Sequence, residues 1–191
     1  MKLDAMRVGL LGIGTVGGGT YNVLTRNAEE ITRRAGRPIE ITVVADKDVA
    51  RAKELTGGKA QVTDDAFAVV NDPNVDIVIE LIGGYGIARE LVMKAIANGK
   101  HVVTANKALL AHHGQALAEA AEATGRVIRF EAAVAGGIPV IKALTEGLAA
   151  NRMRRVMGVM NGTCNYILTR MQNAGLPYET VFEEARQLGY L

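Results

Sequence analysis

Apolar and polar positions along the chain alternate between strand-length runs and longer stretches of helical period. Met6 to Leu11 (MRVGLL) is a short apolar run, and Gly12-Ile13-Gly14-Thr15-Val16-Gly17 follows it before a helix-like segment that extends to about Arg34. Gly36 and Pro38 punctuate the chain, and Ile39 to Ala45 (IEITVVA) is a second strand ending at Asp46. A shorter helical patch near Asp48–Leu55, an irregular stretch from Gly57 to Asp65 and a short helix to about Asn71 come next. Val75 to Ile82 (VDIVIELI) reads as a buried strand closed by Gly83-Gly84. A helix from about Ile87 to Asn98 and a strand from His101 to Thr104 follow. A further helix over about Lys107–Thr124, with Gly125 just past its end, leads to the strand Val127–Glu131 (VIRFE). Strands and helices alternating at this spacing predict an α/β fold, a Rossmann-type doubly wound parallel sheet with helices on both faces.

The pattern changes after Ala135, which places a domain boundary between residues 1–135 and 136–191. Gly136-Gly137-Ile138-Pro139 opens a helix to about Ala149, and Arg154 to Met160 (RRVMGVM) reads as a strand. Asn161-Gly162-Thr163 starts a helix to about Asn173, and Tyr178 to Leu188 reads as the last one.

Composition narrows the function classes. With 49% hydrophobic and 22% charged residues, the 191-residue chain is in the range of a globular protein with a sizeable core. A net charge of only +2, with basic residues scattered apart from Arg152, Arg154 and Arg155, argues against nucleic acid as a partner. No apolar stretch reaches membrane-spanning length, and MKLDAMRVGLLGIG lacks a small-residue cleavage site, so no membrane partner and a cytoplasmic location are expected. The single cysteine, Cys164, excludes an internal disulfide and a multi-cysteine metal site.

The G-x-G-x-x-G element has specific physics because a strand precedes it and a helix follows. Gly12 allows the tight turn, Gly14 lets the backbone approach a pyrophosphate, and Gly17 permits close helix packing, while the helix N-terminus offers N–H groups to the anion. Asp46 stands where an acidic residue meets the adenine ribose, 29 residues after Gly17 where the usual interval is about 20. Asp46 favours NAD through the 2′-hydroxyl, Lys47 could pair with a 2′-phosphate, and a simple turn cap is the alternative role for Asp46, so the cofactor is NAD or NADP.

Lys107 poses a separate question. A cation in the first turn of a helix opposes the macrodipole at a cost of about 0.3–1 kcal/mol. In an open parallel sheet, ligands lie beyond the C-terminal strand ends, so Gly83, Thr104, Lys107 and Glu131 would face one crevice. A charge-assisted contact of about 1.5–3 kcal/mol outweighs the dipole penalty. A solvated helix-start lysine is the plainer alternative.

Four motifs in this order, the Gly12–Gly17 loop, VVTANKALLA, FEAAVAGGIPVIKAL and NGTCNYILTRM, resemble homoserine dehydrogenase across essentially the whole chain. The resemblance implies an NAD(P)-dependent interconversion of L-homoserine and L-aspartate 4-semialdehyde on the route to threonine, methionine and isoleucine. It implies a Rossmann domain over 1–135, a partial substrate and dimerisation domain over 136–191, and a homodimer or higher homo-oligomer. Ile13, Thr15 and Val16 match the family's cofactor loop, and Lys107 its lysine beside cofactor and small-molecule substrate. Gly162 and Thr163 match the substrate-side motif, and Gly189 a glycine near the nicotinamide. Glu131, Val134, Gly136 and Ile138 match a monovalent cation site, usually sodium, built largely from main-chain carbonyls.

A carboxylate followed by an irregular glycine-rich run suits such a hard cation, although an inter-domain hinge would have the same composition. Asn161-Gly162-Thr163 suits a substrate carboxylate or a plain helix cap. Cys164, in a helix first turn, is either a reactive thiol or a buried apolar residue. His101, His112 and His113 lack metal-ligand partners at useful spacing. The family pattern continues with an aspartate and a lysine that lie beyond Leu191, so these residues alone are expected to hold cofactor without turnover. A non-catalytic dinucleotide sensor, or a dehydrogenase of another small semialdehyde or amino acid, is the alternative.

Overall fold

The computed structural model describes residues 3–158 and 161–190. Packing divides them into one compact unit that runs through Thr145 and a second that begins at Glu146.

The first unit is built on a six-stranded sheet. Its strands are β1 (Met6–Leu11), β2 (Ile39–Ala45), β3 (Gln61–Thr63), β4 (Ile77–Glu80), β5 (His101–Thr104) and β6 (Ile128–Arg129). All pairings are parallel, in the order β3-β2-β1-β4-β5-β6, so the direction of winding reverses between β1 and β4. The intervening helices are α1 (Thr15–Arg26), α2 (Ala28–Ala35), α3 (Val49–Thr56), α4 (Ala66–Asn71), α5 (Gly86–Ala97) and α6 (Lys107–Ala123).

The two-residue period of the strands sorts the core into two layers. Leu10 lies opposite Val44 and Ile79, and Leu10 and Val44 pack with Ile13, Tyr21 of α1 and Ala52 of α3. Leu11, Val43, Ala45, Val78 and Val102 point the other way, into a cluster with α4, α5 and α6 that includes Val69, Leu91, Ile96, Leu109 and Leu117. Each fully buried leucine or isoleucine contributes about 1.5–3 kcal/mol relative to exposure. Gly9 is glycine because α4 crowds it, a Cβ there standing 2.4 Å from Val69 Cγ1.

Several elements depart from the hydrophobic pattern. The helix expected to reach Arg34 is interrupted at Asn27, which leaves helical geometry (φ −102°, ψ 19°). No residue of α2 is buried, so little packing opposes the break between the two segments. The irregular stretch Gly57–Asp65 contains β3, whose three residues are too few to display a period. At the end of the sheet, β6 covers only Ile128 and Arg129, and Glu131 stands in a 3₁₀ turn, Glu131–Ala133. The helix expected from Pro139 to about Ala149 is one α-turn, α7 (Val140–Lys142), widening into a π-turn over Ala143–Gly147. Of the strand expected over Arg154–Met160, residues 154–158 are exposed coil, and Val159 and Met160 lie outside the described residues. A strand needs a neighbour for its backbone groups, and the second unit offers no strand among its described residues.

That second unit holds α8 (Gly162–Ala174) and α9 (Tyr178–Gln187), joined through Ile167, Val181 and Ala185. Arg170 and Glu184 pair at 3.1 Å between them. Among the described residues, no helix is long and apolar enough to cross a membrane.

Asp76 fastens the start of β4 to β1. Its Oδ2 accepts from the Arg7 N–H at 2.8 Å and from the Arg7 guanidinium at 3.5 Å. Burial pushes this carboxyl up, but the Arg7 N–H, guanidinium and charge outweigh it and hold the group below the ordinary carboxylate range. The folded value is therefore lower than the unfolded value of about 3.9, so the contribution is present above that pH and is lost as pH falls through the folded value. Replacing Asp76→Asn is expected to cost about 1 kcal/mol or less at pH 7, since the pair is partly exposed. The gap between variant and wild-type urea midpoints should narrow at pH 3.

Candidate functional site

The turn after β1 divides its three glycines into different physical roles. Gly12 has φ 92°, and a Cβ on it would stand 2.7 Å from the Leu81 carbonyl oxygen. Gly17 lies one helical turn later, where a Cβ would stand 1.9 Å from the Gly12 carbonyl oxygen, so α1 enters against bare backbone. Gly14 has no atom within 4 Å of a Cβ position and lies at the open surface. As N-cap of α1 it supplies no side-chain cap, and no acidic residue stands in the first turn. The first-turn N–H groups and the positive end of the helix dipole are thus available to an anion.

Thr15 and Val16 are exposed on that first turn. Ile13 is oriented differently: its side chain belongs to the α1 core layer at 1% exposure, and its N–H donates to Asp46 Oδ2 at 2.6 Å. Asp46 Oδ1 accepts from the Asp48 N–H at 2.8 Å, so Asp46 caps its own turn and also braces the glycine loop. A carboxylate offers about four lone-pair sites, which leaves it able to accept ribose hydroxyls as well. A crevice of about 440 Å³ opens here, lined by Gly12, Gly14, Asp46, Lys47, Ile82 and Ile87 among others. Lys47 reaches across to donate to the Asp64 carbonyl at 3.1 Å.

Beyond β4 and β5 a buried polar network forms the continuation of this edge. Glu80, the last residue of β4, is 0% exposed and pairs in register with Leu11 on one side and Thr104 on the other. Its Oε1 accepts from the N–H groups of Ile82 at 2.9 Å and Gly83 at 3.3 Å, and from Asn106 Nδ2 at 3.4 Å. Its Oε2 accepts from the Thr104 hydroxyl at 2.7 Å. Asn106 Nδ2 also donates to the Gly84 carbonyl at 2.6 Å, and Asn106 Oδ1 caps α6 by accepting from the Leu109 N–H at 3.0 Å.

Lys107 follows as the first residue of α6, exposed, and Gly83 is exposed in the loop after β4. Thr104 sits within the wall at 1% exposure with its hydroxyl committed to Glu80. Asn106 falls within the VVTANKALLA motif, whereas Glu80 is not among the residues the sequence singles out, although an acid as the last residue of an apolar strand is a visible signal.

The remaining candidates fall in two places. Glu131 Oε1 and Oε2 accept from the N–H groups of Ile141 and Lys142, each at 2.9 Å, and so cap α7. Between them, Ala135 holds φ 50°, and Val134, Gly136 and Ile138 are exposed. Among the described residues no cluster of three or more His, Cys, Asp or Glu could hold a metal, so any cation in this segment would depend on main-chain carbonyls. In the second unit, Asn161 caps α8 by accepting from the Cys164 N–H at 2.8 Å, and Cys164 is exposed. The Thr163 hydroxyl donates to the Tyr190 carbonyl, which brings Gly162 and Thr163 to the corner formed by Gly189 and Tyr190. Tyr166 and Tyr190 stack there with centroids 4.6 Å apart.

The strand order, the switch between β1 and β4 and the glycine turn at that switch define a dinucleotide-binding protein of the doubly wound α/β class. Family models described as "Homoserine dehydrogenase, NAD binding domain" and "Homoserine dehydrogenase" match residues 12–131 and 139–191. The chain belongs to the homoserine dehydrogenase family. It is 57% identical over 190 residues to homoserine dehydrogenase of Methylobacillus glycogenes, covering 98% of this chain and 46% of that one. The Pseudomonas aeruginosa relative is 54% identical, with 98% and 43% covered. The chain thus spans less than half the length of these curated relatives.

Among solved structures, a homoserine dehydrogenase from Thiobacillus denitrificans superposes with a TM-score of 0.90 at 56% identity, covering 100% of this chain and 44% of that one. A hyperthermophilic archaeal homoserine dehydrogenase in complex with NADPH superposes at 0.80 with 25% identity, covering 98% and 62%.

The different surroundings of Gly14 and Gly17 separate binding from stability. Gly17→Ala is expected to lower stability by about 1–3 kcal/mol in urea unfolding, because backbone must move. Gly14→Ala is expected to stay within about 0.5 kcal/mol of wild type and to raise the NADH dissociation constant about 10-fold in titration.

Proposed function

We propose that this chain is the dinucleotide-binding part, with the beginning of the substrate domain, of an enzyme that interconverts L-homoserine and L-aspartate 4-semialdehyde with NAD or NADP. The observation that carries the reading is a shared sheet edge in a chain of this family. The glycine turn after β1 and the Lys107 corner after β5 both lie at C-terminal ends of parallel strands. Under this reading Gly12, Ile13, Gly14, Thr15, Val16, Gly17 and Asp46 hold the adenosine and pyrophosphate side. Gly83, Thr104 and Lys107 belong to the nicotinamide side; for the second unit, the family resemblance gives Gly189 a cofactor role and Gly162 and Thr163 a substrate role.

When bound, the nicotinamide supplies or accepts the hydride at the substrate's C4. The chain's own contribution is electrostatic and positional. First-turn N–H groups of α1 meet the pyrophosphate, the Asp46 carboxylate accepts ribose hydroxyls while bracing the Ile13 N–H, and the Lys107 ammonium stabilises negative charge developing on the substrate oxygen. Placing a cation at the start of α6 is unfavourable to the helix and favourable to an alkoxide.

The same proposal includes a monovalent cation, sodium, at Glu131, Val134, Gly136 and Ile138. Ala135, held at φ 50°, interrupts regular structure in that segment, consistent with carbonyls available as hard ligands. It also includes a functional division near Ala135, assembly as a homodimer or higher homo-oligomer, a cytoplasmic location and a role in threonine, methionine and isoleucine synthesis, all supported by the family resemblance.

Homoserine oxidation followed by NADH or NADPH absorbance tests the reading on a full-length protein containing these residues. Turnover supports it, and cofactor binding with no turnover of homoserine overturns it. In that protein Lys107→Ala is expected to retain the fold and lower kcat/KM about 100-fold or more, with the larger change in kcat. Unchanged kinetics would return Lys107 to the solvated helix surface.

A further inference from the structure

A doubly wound sheet contains two mononucleotide halves, one over β1–β3 and one over β4–β6. In this chain Asp46 and the glycine turn serve the first half. In the second half the strand-end carboxylate is buried, and the two loops after β4 and β5 converge on it. Glu80 is 0% exposed and has four hydrogen-bond partners, all of them donors, so both of its oxygens act as acceptors. Two are the N–H groups of Ile82 and Gly83 in the β4–α5 loop, and two are the Thr104 hydroxyl and Asn106 amide at the β5–α6 corner. Asn106 closes the ring by donating to the Gly84 carbonyl at 2.6 Å, while its N–H donates to the Thr104 hydroxyl at 3.0 Å. Every buried polar side-chain atom among the described residues has a partner, so the ring is complete.

We propose that Glu80 is a positioning residue for the nicotinamide half of the crevice: its carboxylate locks the Ile82–Gly84 loop to the Thr104–Asn106 corner and thereby fixes the wall from which Lys107 projects. Gly83 and Gly84 both hold left-handed φ, 83° and 68°, so local backbone preference leaves this loop many alternatives. The two N–H bonds to Glu80 select one of them. On the other wall, the Asn106 that accepts the Leu109 N–H and starts α6 is the same side chain that donates to Glu80 and Gly84. The position of Lys107 as first residue of α6 thus depends on the ring. Apolar packing could not do this, because the part-buried N–H groups of Ile82 and Gly83 would lose their acceptor and Glu80 its donors.

The inference rests on the cofactor reading above, and a pair of ligands separates the two. NADH spans both halves, whereas ADP-ribose occupies the adenosine half and lacks the nicotinamide. For Glu80→Gln, checked first for a wild-type circular dichroism spectrum, calorimetric titration is expected to show NADH affinity reduced about 10-fold and ADP-ribose affinity within about 2-fold of wild type. Thr104→Val removes one contact to the carboxylate at nearly constant volume and is expected to shift the same ratio in the same direction, which keeps the test open if Glu80→Gln does not fold. Equal retention of both ligands overturns the inference. Equal loss of both also overturns it, since that is the mark of general destabilisation. Wild-type chain that binds neither ligand would instead overturn the cofactor reading.

Discussion

Helix α1 can dock on the sheet at its observed depth only because Gly17 presents bare backbone to the carbonyl of Gly12. Almost everything at the crevice depends on that approach. With α1 seated, Tyr21 joins Leu10, Ile13 and Val44 in one core layer, and the helix N-terminus points over the ends of the strands. Gly12 meets a second limit at the same place, the nearby carbonyl of Leu81 after β4. The turn is therefore confined from both sides of the switch point, and Gly14 is the one of the three left open towards a ligand.

The other half of the edge is organised by opposite means. Around β1 the backbone comes close because side chains are missing, and shape sets most of the geometry. Around β4 and β5, a buried carboxylate gathers donors from two loops, and hydrogen bonding sets it. A buried carboxylate is tolerated only when its acceptor capacity is met, so Glu80 demands the Thr104 hydroxyl, the Asn106 amide and two loop N–H groups together. Asp46 combines both styles, since it caps its own turn and holds the Ile13 N–H against the end of β2.

Much of this architecture is legible in a linear pattern. β1, β2, β5, α5 and α6 follow from apolar runs long enough to show their period, and Asn106 marks the start of α6 as its side-chain cap. The glycine turn was readable because each of its glycines meets a requirement of local geometry. β3 leaves no mark in that pattern because three residues at a sheet edge carry no period of their own and are made a strand by pairing with Val43–Ala45. Arg154–Gly158 failed in the opposite sense: its pattern suits a strand, but a strand exists only where another backbone is ready to pair. Thr104 and Ile13 were legible as residues of the crevice edge, yet their side chains turned out to be committed to Glu80 and to the core.

Local chemistry along the chain thus settled the fold class, the turn after β1 and the positions at which helices begin, because periodicity and capping act between residues a few places apart. Tertiary structure assigned Glu80, Asn106 and Asp46 their partners. The long-range ones among those contacts join residues 22 to 33 positions apart. They exist only after the parallel strands bring their C-terminal ends to one edge, where a carboxylate can be judged by the donors around it and no longer by its neighbours in sequence.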